Sequence, residues 1–208
     1  MKYFLIICLG LMACNDEPKN SAEASKPIEQ NQATAPEKED RSDTAVLPVS
    51  REVLLTLRNK EFIKLAGFFH PEEGVRFSPY GFVDTVAHRL MKSNEFVQAI
   101  ASGARLYWGS YDGSGDSILL TVAGYYKKFI YNADFLNADT MGINKQLGHG
   151  NSLNNIDVIY RGCVYTESHF RGFDVKYGGM DWTSLRLVFK SYRGKNYLVA
   201  IIHDQWTI

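Results

Sequence analysis

The stretch SLRLVFKSYRGKNYLVAIIHDQW, residues 184–206, contains two runs rich in leucine, β-branched and aromatic residues, separated by the polar tetrapeptide RGKN. Apolar and polar side chains largely alternate in residues 184–192, which is the two-residue period of a half-buried strand. A short connection that contains glycine predicts a β-hairpin. A further period-two run at 158–170 adds a strand, so the C-terminal part of the chain is predicted to be an antiparallel sheet.

The hairpin also predicts which side chains share a face. Whether RGKN is a four-residue loop or Gly194-Lys195 is a two-residue turn, closure pairs Arg186 with His203. Cross-strand partners have Cβ atoms ~5 Å apart, so we expect these two side chains to be neighbours. If their face lines a pocket, they would bind a carboxylate or phosphate; if it faces water, they are ordinary surface polar residues. Asp181, just before the strand, either belongs to the mouth of that pocket or caps the sheet.

Upstream of the sheet the apolar spacing is helical. The segment REVLLTLRNKEFIKLAGFFHP, residues 51–71, predicts helix with a break near Asn59 and an end at Pro71. Another helical pattern covers DTVAHRLMKSNEFVQAIA, residues 84–101, and a further helix follows Thr121, a predicted N-cap. Leading helices followed by a long antiparallel sheet predict an α+β domain over residues 47–208.

Five segments carry a resemblance to a known group: LRNKEFIKLAGFFHPEEGVRFSPY, YWGSYDGSGDSILLT, YYKKFIYNADF, GMDWTSLRLVF and GKNYLVAIIHDQWTI. Together they resemble an uncharacterised bacterial lipoprotein domain whose layout is similar to the nuclear transport factor 2-like (cystatin-like) superfamily. The resemblance implies N-terminal helices packed on a curved antiparallel sheet, cone-like, with a pocket inside the cone. That superfamily includes both enzymes and non-catalytic binding modules, and no catalytic motif of its enzymes matches here. No catalytic residue is therefore transferred to this chain.

The N-terminus predicts a lipid anchor. The apolar run after Lys2 has about half the ~20 residues that a transmembrane helix needs, so residues 1–13 are predicted to be a signal peptide. Leu11 to Cys14 resemble a bacterial lipobox, which makes Cys14 the expected lipidated residue; Asn15 after it favours the outer membrane or the cell surface. Residues 14–46 have a polar, proline-containing composition without aromatics, which predicts a disordered tether.

The charge, the cysteine content and the absence of certain motifs argue against three classes of protein: nucleic-acid-binding proteins, disulfide-stabilised proteins and enzymes of several common families. The chain has zero formal net charge, and the small excess of basic residues after the tether is too dilute for a nucleic-acid interface. Cys163 is the single thiol outside the signal and anchor, so no intramolecular disulfide is expected. The chain has no HExxH, CxxC, GxSxG or GxxxxGK[ST] motif, and we predict no cofactor and no metal centre.

Two further stretches hold candidate residues. In HPEEGVRFSPYG, residues 70–81, His70 and Tyr80 either end a helix and pack over the core or line a pocket. In YDGSGDS, oxygens at Asp112, Ser114 and Asp116 alternate as in a calcium loop. The positions where an EF-hand needs glycine and glutamate hold other residues, which leaves a different calcium site or a plain Asp/Gly turn.

The sequence is compatible with two functions. The first is a lipid-anchored cell-envelope module that binds a small ligand, a glycan or an envelope protein. The second is an envelope enzyme that uses a cone pocket for acid/base chemistry, with His203, Arg186 or His70 as its candidate groups. An enzyme predicts a titratable group in an enclosed pocket, whereas a binding module predicts a groove or an exposed aromatic patch.

Overall fold

The structure, a computed structural model, describes residues 43–151 and 153–207. The predicted signal peptide, Cys14 and most of the predicted tether lie outside the described residues. The predicted boundary between tether and domain, at residue 46, falls inside folded structure. Thr44–Val46 form a 3-10 turn that leads directly into the first helix, and Val46 is buried. The folded structure therefore includes Thr44–Val46, which the composition assigned to the tether.

The helices are short and lie mostly in the first two thirds of the domain. Their bounds are α1 Leu47–Arg58, α2 Phe62–Ala66, α3 Ser93–Ser102, α4 Val122–Tyr125, which continues as a π-helix over Tyr126–Ile130, and α5 Ile156–Ile159. Single 3-10 turns also cover Phe135–Asn137 and Val175–Tyr177.

Two of the predicted helix signals are confirmed. The break near Asn59 separates α1 from α2, with Lys60 in the left-handed conformation at φ 58°. The hydroxyl of Thr121 caps α4 by accepting the backbone N–H of Gly124 at 3.1 Å. These local signals persist because they satisfy backbone groups at helix ends, whatever the tertiary context.

Two other helix predictions hold only in part: α2 forms but ends early, and of residues 84–101 only the part from Ser93 onward is helical, as α3. Helix α2 ends at Ala66 rather than at Pro71, and the chain then pairs with the sheet through Phe69. Residues 84–89 are a turn rather than helix, followed by a two-residue strand. Both departures have the same kind of cause, since a neighbouring strand offers backbone partners that a local helix would forgo. The strand Lys195–Gln205 bonds to Phe68 and His70 through Leu198, and the strand Val75–Ser78 bonds to Arg89 through Phe77.

In the described residues, eight strands form two sheets. Their bounds are β1 Val75–Ser78, β2 Leu90–Met91, β3 Leu106–Ser110, β4 Ser117–Leu120, β5 Thr140–Ile143, β6 Val164–Phe170, β7 Thr183–Tyr192 and β8 Lys195–Gln205. Six strands make one sheet in the order β2-β1-β8-β7-β6-β5, and β3 and β4 form a separate hairpin. Neighbours in the large sheet are antiparallel except β1 and β8, which are parallel. The α+β class is confirmed, with a mostly antiparallel sheet that does not close on itself.

The predicted register of the β7–β8 hairpin is wrong. The turn is Arg193-Gly194, both with positive φ (49° and 77°), so Tyr192 pairs with Lys195. A β-bulge at Val199 then shifts the pairing by one residue. Arg186 lies opposite Ile202, and the side chains of Arg186 and His203 project from opposite faces of the sheet, because a shift of one residue exchanges the faces. The first half of the strand predicted over residues 158–170 is also wrong, because α5 and a turn occupy residues 156–163 and the strand begins only at Val164.

Both faces of the central strands are covered. We call the side that carries Leu185, Leu187 and Ile201 the helix face, because these residues join the core formed with the helices. The interior expected for a cone is filled there by aromatic rings: Phe77 stacks on Phe96, with centroids 5.7 Å apart, and meets Trp108 edge-on at 5.4 Å.

The other side of the sheet, the loop face, carries Val188, Ala200 and Ile202 and is covered by Val83 and α5. The loop after β5 also reaches this face, where the backbone N–H of Gly148 donates to Glu167. That loop lies so close to Trp182 that a Cβ on Gly148 would be 2.5 Å from its ring.

Candidate functional site

A turn at residues 84–88 organises the candidate site. The carboxylate of Asp84 accepts the backbone N–H groups of Val86 and Ala87 at 2.8 and 2.9 Å. These two bonds lower the pKa of Asp84 below its ordinary value, so this carboxylate stays charged. The guanidinium of Arg76, on β1, donates to the carbonyl oxygens of Thr85 and His88, each at 2.8 Å. Asp84 therefore closes the turn internally, and Arg76 attaches the turn to β1.

His88 is held neutral at the end of this turn. Its Nδ1 accepts the backbone N–H of Asp84 at 3.1 Å and lies 2.8 Å from the hydroxyl of Ser78, so the network assigns the ring proton to Nε2. Burial lowers the pKa of His88 to about 4, although Asp84 acts in the opposite direction. Ser78 is itself buried and lies 2.8 Å from the carbonyl oxygen of Tyr80. This pair is a structural contact rather than an activated nucleophile.

One side of the turn forms an acidic lobe, a cavity of about 290 Å³. It combines aromatic rings with two carboxylates, and its lining consists of Tyr80, Phe82, Asp84, Ala87, His88, Ser110, Tyr111 and Asp112. Burial raises the pKa of Tyr80, so its hydroxyl keeps its proton and can donate to a ligand. The ammonium of Lys128 covers the ring of Tyr111 at 4.2 Å, outside the lining, and fixes that ring.

The opposite side of the same turn forms a basic lobe, a cavity of about 320 Å³. Its lining consists of Arg76, Thr85, Val86, Ala87, His88, Arg89, Leu90 and Tyr107. The Nε of Arg89 is buried and has no acceptor among the described residues. Ala87 and His88 line both lobes, so we treat them as one groove with carboxylates in one lobe and guanidinium groups in the other.

Arg186 does not line this groove. It is 0% exposed and lies on the loop face, where its Nε donates to Glu167 at 2.7 Å and its Nη2 to Asp204 at 2.8 Å. Burial opposes the ionisation of both carboxyl groups, while the positive charge of Arg186 favours it. At Glu167 the charge of Arg186 outweighs burial and lowers the pKa below its ordinary value. At Asp204 burial outweighs the charge and raises the pKa. The backbone N–H of Gly148 also donates to Glu167, at 2.8 Å, so the cluster fastens the overlying loop. Arg186 is a structural residue here.

His203 is also separated from solvent. It is 0% exposed on the helix face, with Nδ1 3.1 Å from the carbonyl oxygen of Pro79 and Nε2 3.1 Å from the hydroxyl of Thr183. Burial lowers the pKa of His203 to about 4. The imidazole is thus neutral at physiological pH and bonded to the protein's own groups.

His70 and Asp181 each organise a turn. Nδ1 of His70 accepts the backbone N–H groups of Glu72 and Glu73 at 3.3 and 3.0 Å, and its ring packs between Tyr192 and Tyr197. Asp181 accepts two backbone N–H groups in the loop between β6 and β7. Of the five residues predicted to share a pocket, Arg186, His203, His70, Tyr80 and Asp181, the structure places only Tyr80 in the groove.

The candidate calcium loop is the connection of the β3–β4 hairpin. The backbone N–H of Tyr111 donates to the carbonyl oxygen of Asp116 at 2.8 Å, and Asp116 donates its own N–H to the hydroxyl of Ser114 at 3.2 Å. Asp112 accepts the N–H of Gly113 at 3.1 Å and faces the acidic lobe. Within the described ranges, no three His, Cys, Asp or Glu side chains come close enough together to hold a metal ion.

Comparisons of this chain with protein-family models, with curated proteins and with solved structures found no match. None of the helices in the described part of the chain is long and apolar enough to span a lipid bilayer.

Sequence reasoning missed most of the groove. It selected Tyr80 and Asp112 for separate reasons, but it placed Asp84 and His88 on a helix. The available signal was the Asp-Thr pair of residues 84–85, since an aspartate that accepts backbone N–H groups two and three residues later is typical of a turn. Tyr111 reaches the groove through the β3–β4 hairpin, which has no counterpart in the predicted elements.

Proposed function

We propose that this protein is a lipid-anchored binding module of the cell envelope, in the outer membrane or at the cell surface, and that its ligand site is the groove at residues 84–88. The observation that carries the proposal is the opposite charge of the two lobes on either side of one rigid turn. Asp84 and Asp112 supply carboxylates on one side, and Arg76 and Arg89 supply guanidinium groups on the other. This arrangement suits a small ligand that carries both an ammonium and a carboxylate group, such as a short peptide.

The aromatic rings support the same ligand class. Tyr80, Phe82 and Tyr111 surround the two carboxylates of the acidic lobe, and an ammonium group gains from both a carboxylate and a ring face. In the basic lobe, the unpartnered Nε of Arg89 would gain an acceptor from a ligand carboxylate. Both lobes have the size of small-ligand sites rather than of protein interfaces.

Binding is favoured over acid/base catalysis by the state of the histidines. Burial lowers the pKa values of His88 and His203 to about 4, so neither is poised for proton transfer near neutral pH. The third candidate base, His70, is 2% exposed and uses Nδ1 to accept backbone N–H groups. The helices on one face of a mostly antiparallel sheet support kinship with the nuclear transport factor 2-like superfamily, and we propose it as an open variant whose interior is packed and whose ligand groove lies outside the cone.

Calorimetric titration with trialanine tests the ligand site. We expect trialanine to bind, and we expect acetylation of its amino terminus or amidation of its carboxyl terminus to weaken binding at least about tenfold, because each removes one charge-assisted interaction. Asp112→Asn should weaken binding of trialanine but not of its acetylated form. Asp116→Asn, in the same hairpin loop but outside the groove, is the matched control.

The opposite lobe has its own pair of variants. Arg89→Gln should abolish the preference for a free carboxylate, whereas Arg51→Gln, on the exposed side of α1, should not. Equal affinity for the free and capped peptides would refute the two-lobed site. Recovery of cleaved peptide after incubation would instead establish an enzyme.

The anchor is tested separately in cells. Metabolic labelling with a fatty acid should mark the wild-type chain and not Cys14→Ser, and fractionation should place the labelled chain in the membrane. An unlabelled, soluble wild-type chain would refute the anchoring without bearing on the groove.

A further inference from the structure

The loop between β6 and β7 exposes an unusual amount of apolar surface. Within residues 171–180, which we call the apolar loop, Phe173 is 61%, Val175 98%, Tyr177 46% and Met180 52% exposed. Isolated exposed apolar residues are ordinary on a protein surface, but a contiguous group marks an interaction site. The four side chains belong to a single connection, so exposed apolar surface is concentrated within ten residues of the chain.

The apolar loop is held in shape by its own hydrogen bonds. One oxygen of Asp181 accepts the backbone N–H groups of Phe173 and Asp174 at 2.9 and 2.8 Å. Asp174 then accepts the N–H of Lys176 at 3.0 Å, and its carbonyl oxygen accepts that of Tyr177 at 3.0 Å. The apolar side chains are thus directed outward by a fixed backbone, and little conformational entropy remains to be lost on binding.

These same bonds make the loop compatible with an apolar medium. Entry into a lipid interface is costly for backbone N–H groups that have no partner. Besides the four donors already described, the N–H of Arg171 reaches Asp139 at 3.1 Å, and those of Gly178 and Met180 reach loop carbonyls at 3.1 and 2.9 Å. Most of the loop backbone is therefore satisfied internally before any contact forms.

The charges of the loop also permit shallow insertion. The ammonium of Lys176 lies 2.9 Å from the carboxylate of Asp174 and 4.6 Å from the ring centroid of Tyr177. Its aliphatic stem can lie along the interface while the ammonium reaches lipid phosphates. Tyrosine is suited to the same zone, because its ring is apolar and its hydroxyl is polar.

We propose that the apolar loop inserts into the interface of a lipid bilayer and forms a second membrane contact beside the proposed lipid anchor. The inference rests on that anchor for bringing the domain to the membrane. The described chain begins at Asp43, whose carboxylate accepts a hydrogen bond from the side chain of Asn144 at 2.7 Å. Asn144 directly follows β5, which pairs there with Thr166 near the start of β6. The apolar loop follows the opposite end of β6, after Phe170.

The chain before Asp43 is long enough to permit this contact. The seven residues of β6 span about 23 Å. A flexible coil of roughly 28 residues, the number between Cys14 and Asp43, extends about 30 Å on average. The length of the chain before Asp43 is therefore compatible with a membrane contact at the other end of β6.

An environment-sensitive fluorophore on the full-length lipidated chain tests the contact. In a Cys163→Ala background, Val175→Cys is labelled with nitrobenzoxadiazole and the chain is added to vesicles of phosphatidylethanolamine and phosphatidylglycerol. We expect a blue-shifted, brighter emission that spin-labelled lipid quenches. Val158→Cys, at a position that is 69% exposed on α5, is the matched control and should keep its aqueous spectrum.

Flotation of the vesicles separates failure of the anchor from failure of the loop. If the chain does not float, the same labels are read with the chain held to vesicles by a nickel-chelating lipid through an N-terminal histidine tag. An aqueous spectrum at position 175 on vesicle-bound protein overturns the proposal. A shift that appears only after envelope proteins are added also overturns it, in favour of a protein partner.

Discussion

At the scale of single residues, the most consequential side chain is Arg186. It is fully buried between the carboxylates of Glu167 and Asp204, and one of them also receives the backbone of the overlying loop. A buried ion pair adds little compared with an apolar replacement of the whole group, but removal of one partner leaves an uncompensated charge. The cluster therefore links the overlying loop to three neighbouring strands, because Glu167 lies on β6, Arg186 on β7 and Asp204 on β8.

Arg186→Met should destabilise the fold by about 3–5 kcal/mol at neutral pH. Without the guanidinium, the folded-state pKa values of Glu167 and Asp204 rise above their values in the unfolded chain. The loss should therefore shrink as the pH is lowered to about 4, where both carboxyls take up protons. Urea unfolding at the two pH values measures the effect.

The control for this substitution is Lys64→Met. Lys64 pairs with Glu52 at 3.5 Å with half of its side chain exposed, and its loss should cost less than about 1 kcal/mol. An equal loss from Arg186→Met at both pH values would contradict the account of the cluster.

At the scale of elements, the β7–β8 hairpin depends on a two-residue turn with positive φ at Arg193 and Gly194. Two-residue turns of this kind match the strand twist and favour Asn-Gly. Nothing lies within 4 Å of a Cβ built on Gly194, so its requirement for glycine is purely conformational.

Gly194→Ala should therefore lower the free energy of unfolding by about 1 kcal/mol, and Arg193→Asn should raise it. Gly124→Ala, in a helical position of α4 without close contacts, is the control and should leave stability unchanged or increase it. Thermal melts of the three variants measure these differences. Stabilisation by Gly194→Ala would refute the turn assignment.

The same hairpin shows what the sequence could and could not predict. Its existence, its strands and the inward side of Leu185 and Leu187 follow from alternation and a glycine-containing turn. The register does not, because Leu198 to Ile202 are five consecutive apolar residues buried on both faces. A strand without alternation gives no signal for a bulge at Val199, and one residue of shift separates Arg186 from His203. The groove was also not predicted. Its turn at residues 84–88 is held by hydrogen bonds to Arg76 and Ser78 on the separate strand β1, and local sequence patterns do not report such contacts.

At the scale of the whole molecule, the free energy of unfolding depends on pH through His203, because this histidine is buried on the helix face of the sheet. Burial lowers its pKa from 6.5 to about 4 in the folded state. As the pH falls below 6.5, the unfolded chain takes up a proton first, so the free energy of unfolding decreases. This one residue should remove roughly 3 kcal/mol by the time the pH reaches its folded-state pKa.

Unfolding free energies measured between about pH 7 and pH 4 test this dependence. His203→Gln should flatten the curve, whereas His149→Gln, at an exposed position in the loop after β5, should leave its shape unchanged. A His203→Gln curve parallel to that of the wild type would show that other groups dominate.

The position of β8 has a consequence for biogenesis. The last strand of the chain lies in the interior of the sheet, between β7 and the early strand β1, which is its parallel partner. A ribosome releases the N-terminal half first, and β1 then lacks the neighbour that completes its backbone hydrogen bonds. The six-stranded sheet cannot be completed until β8 has been synthesised. Before that point β1 and β2 form one group of strands and β5, β6 and β7 another, so a partly made chain lacks the central contacts of the finished sheet.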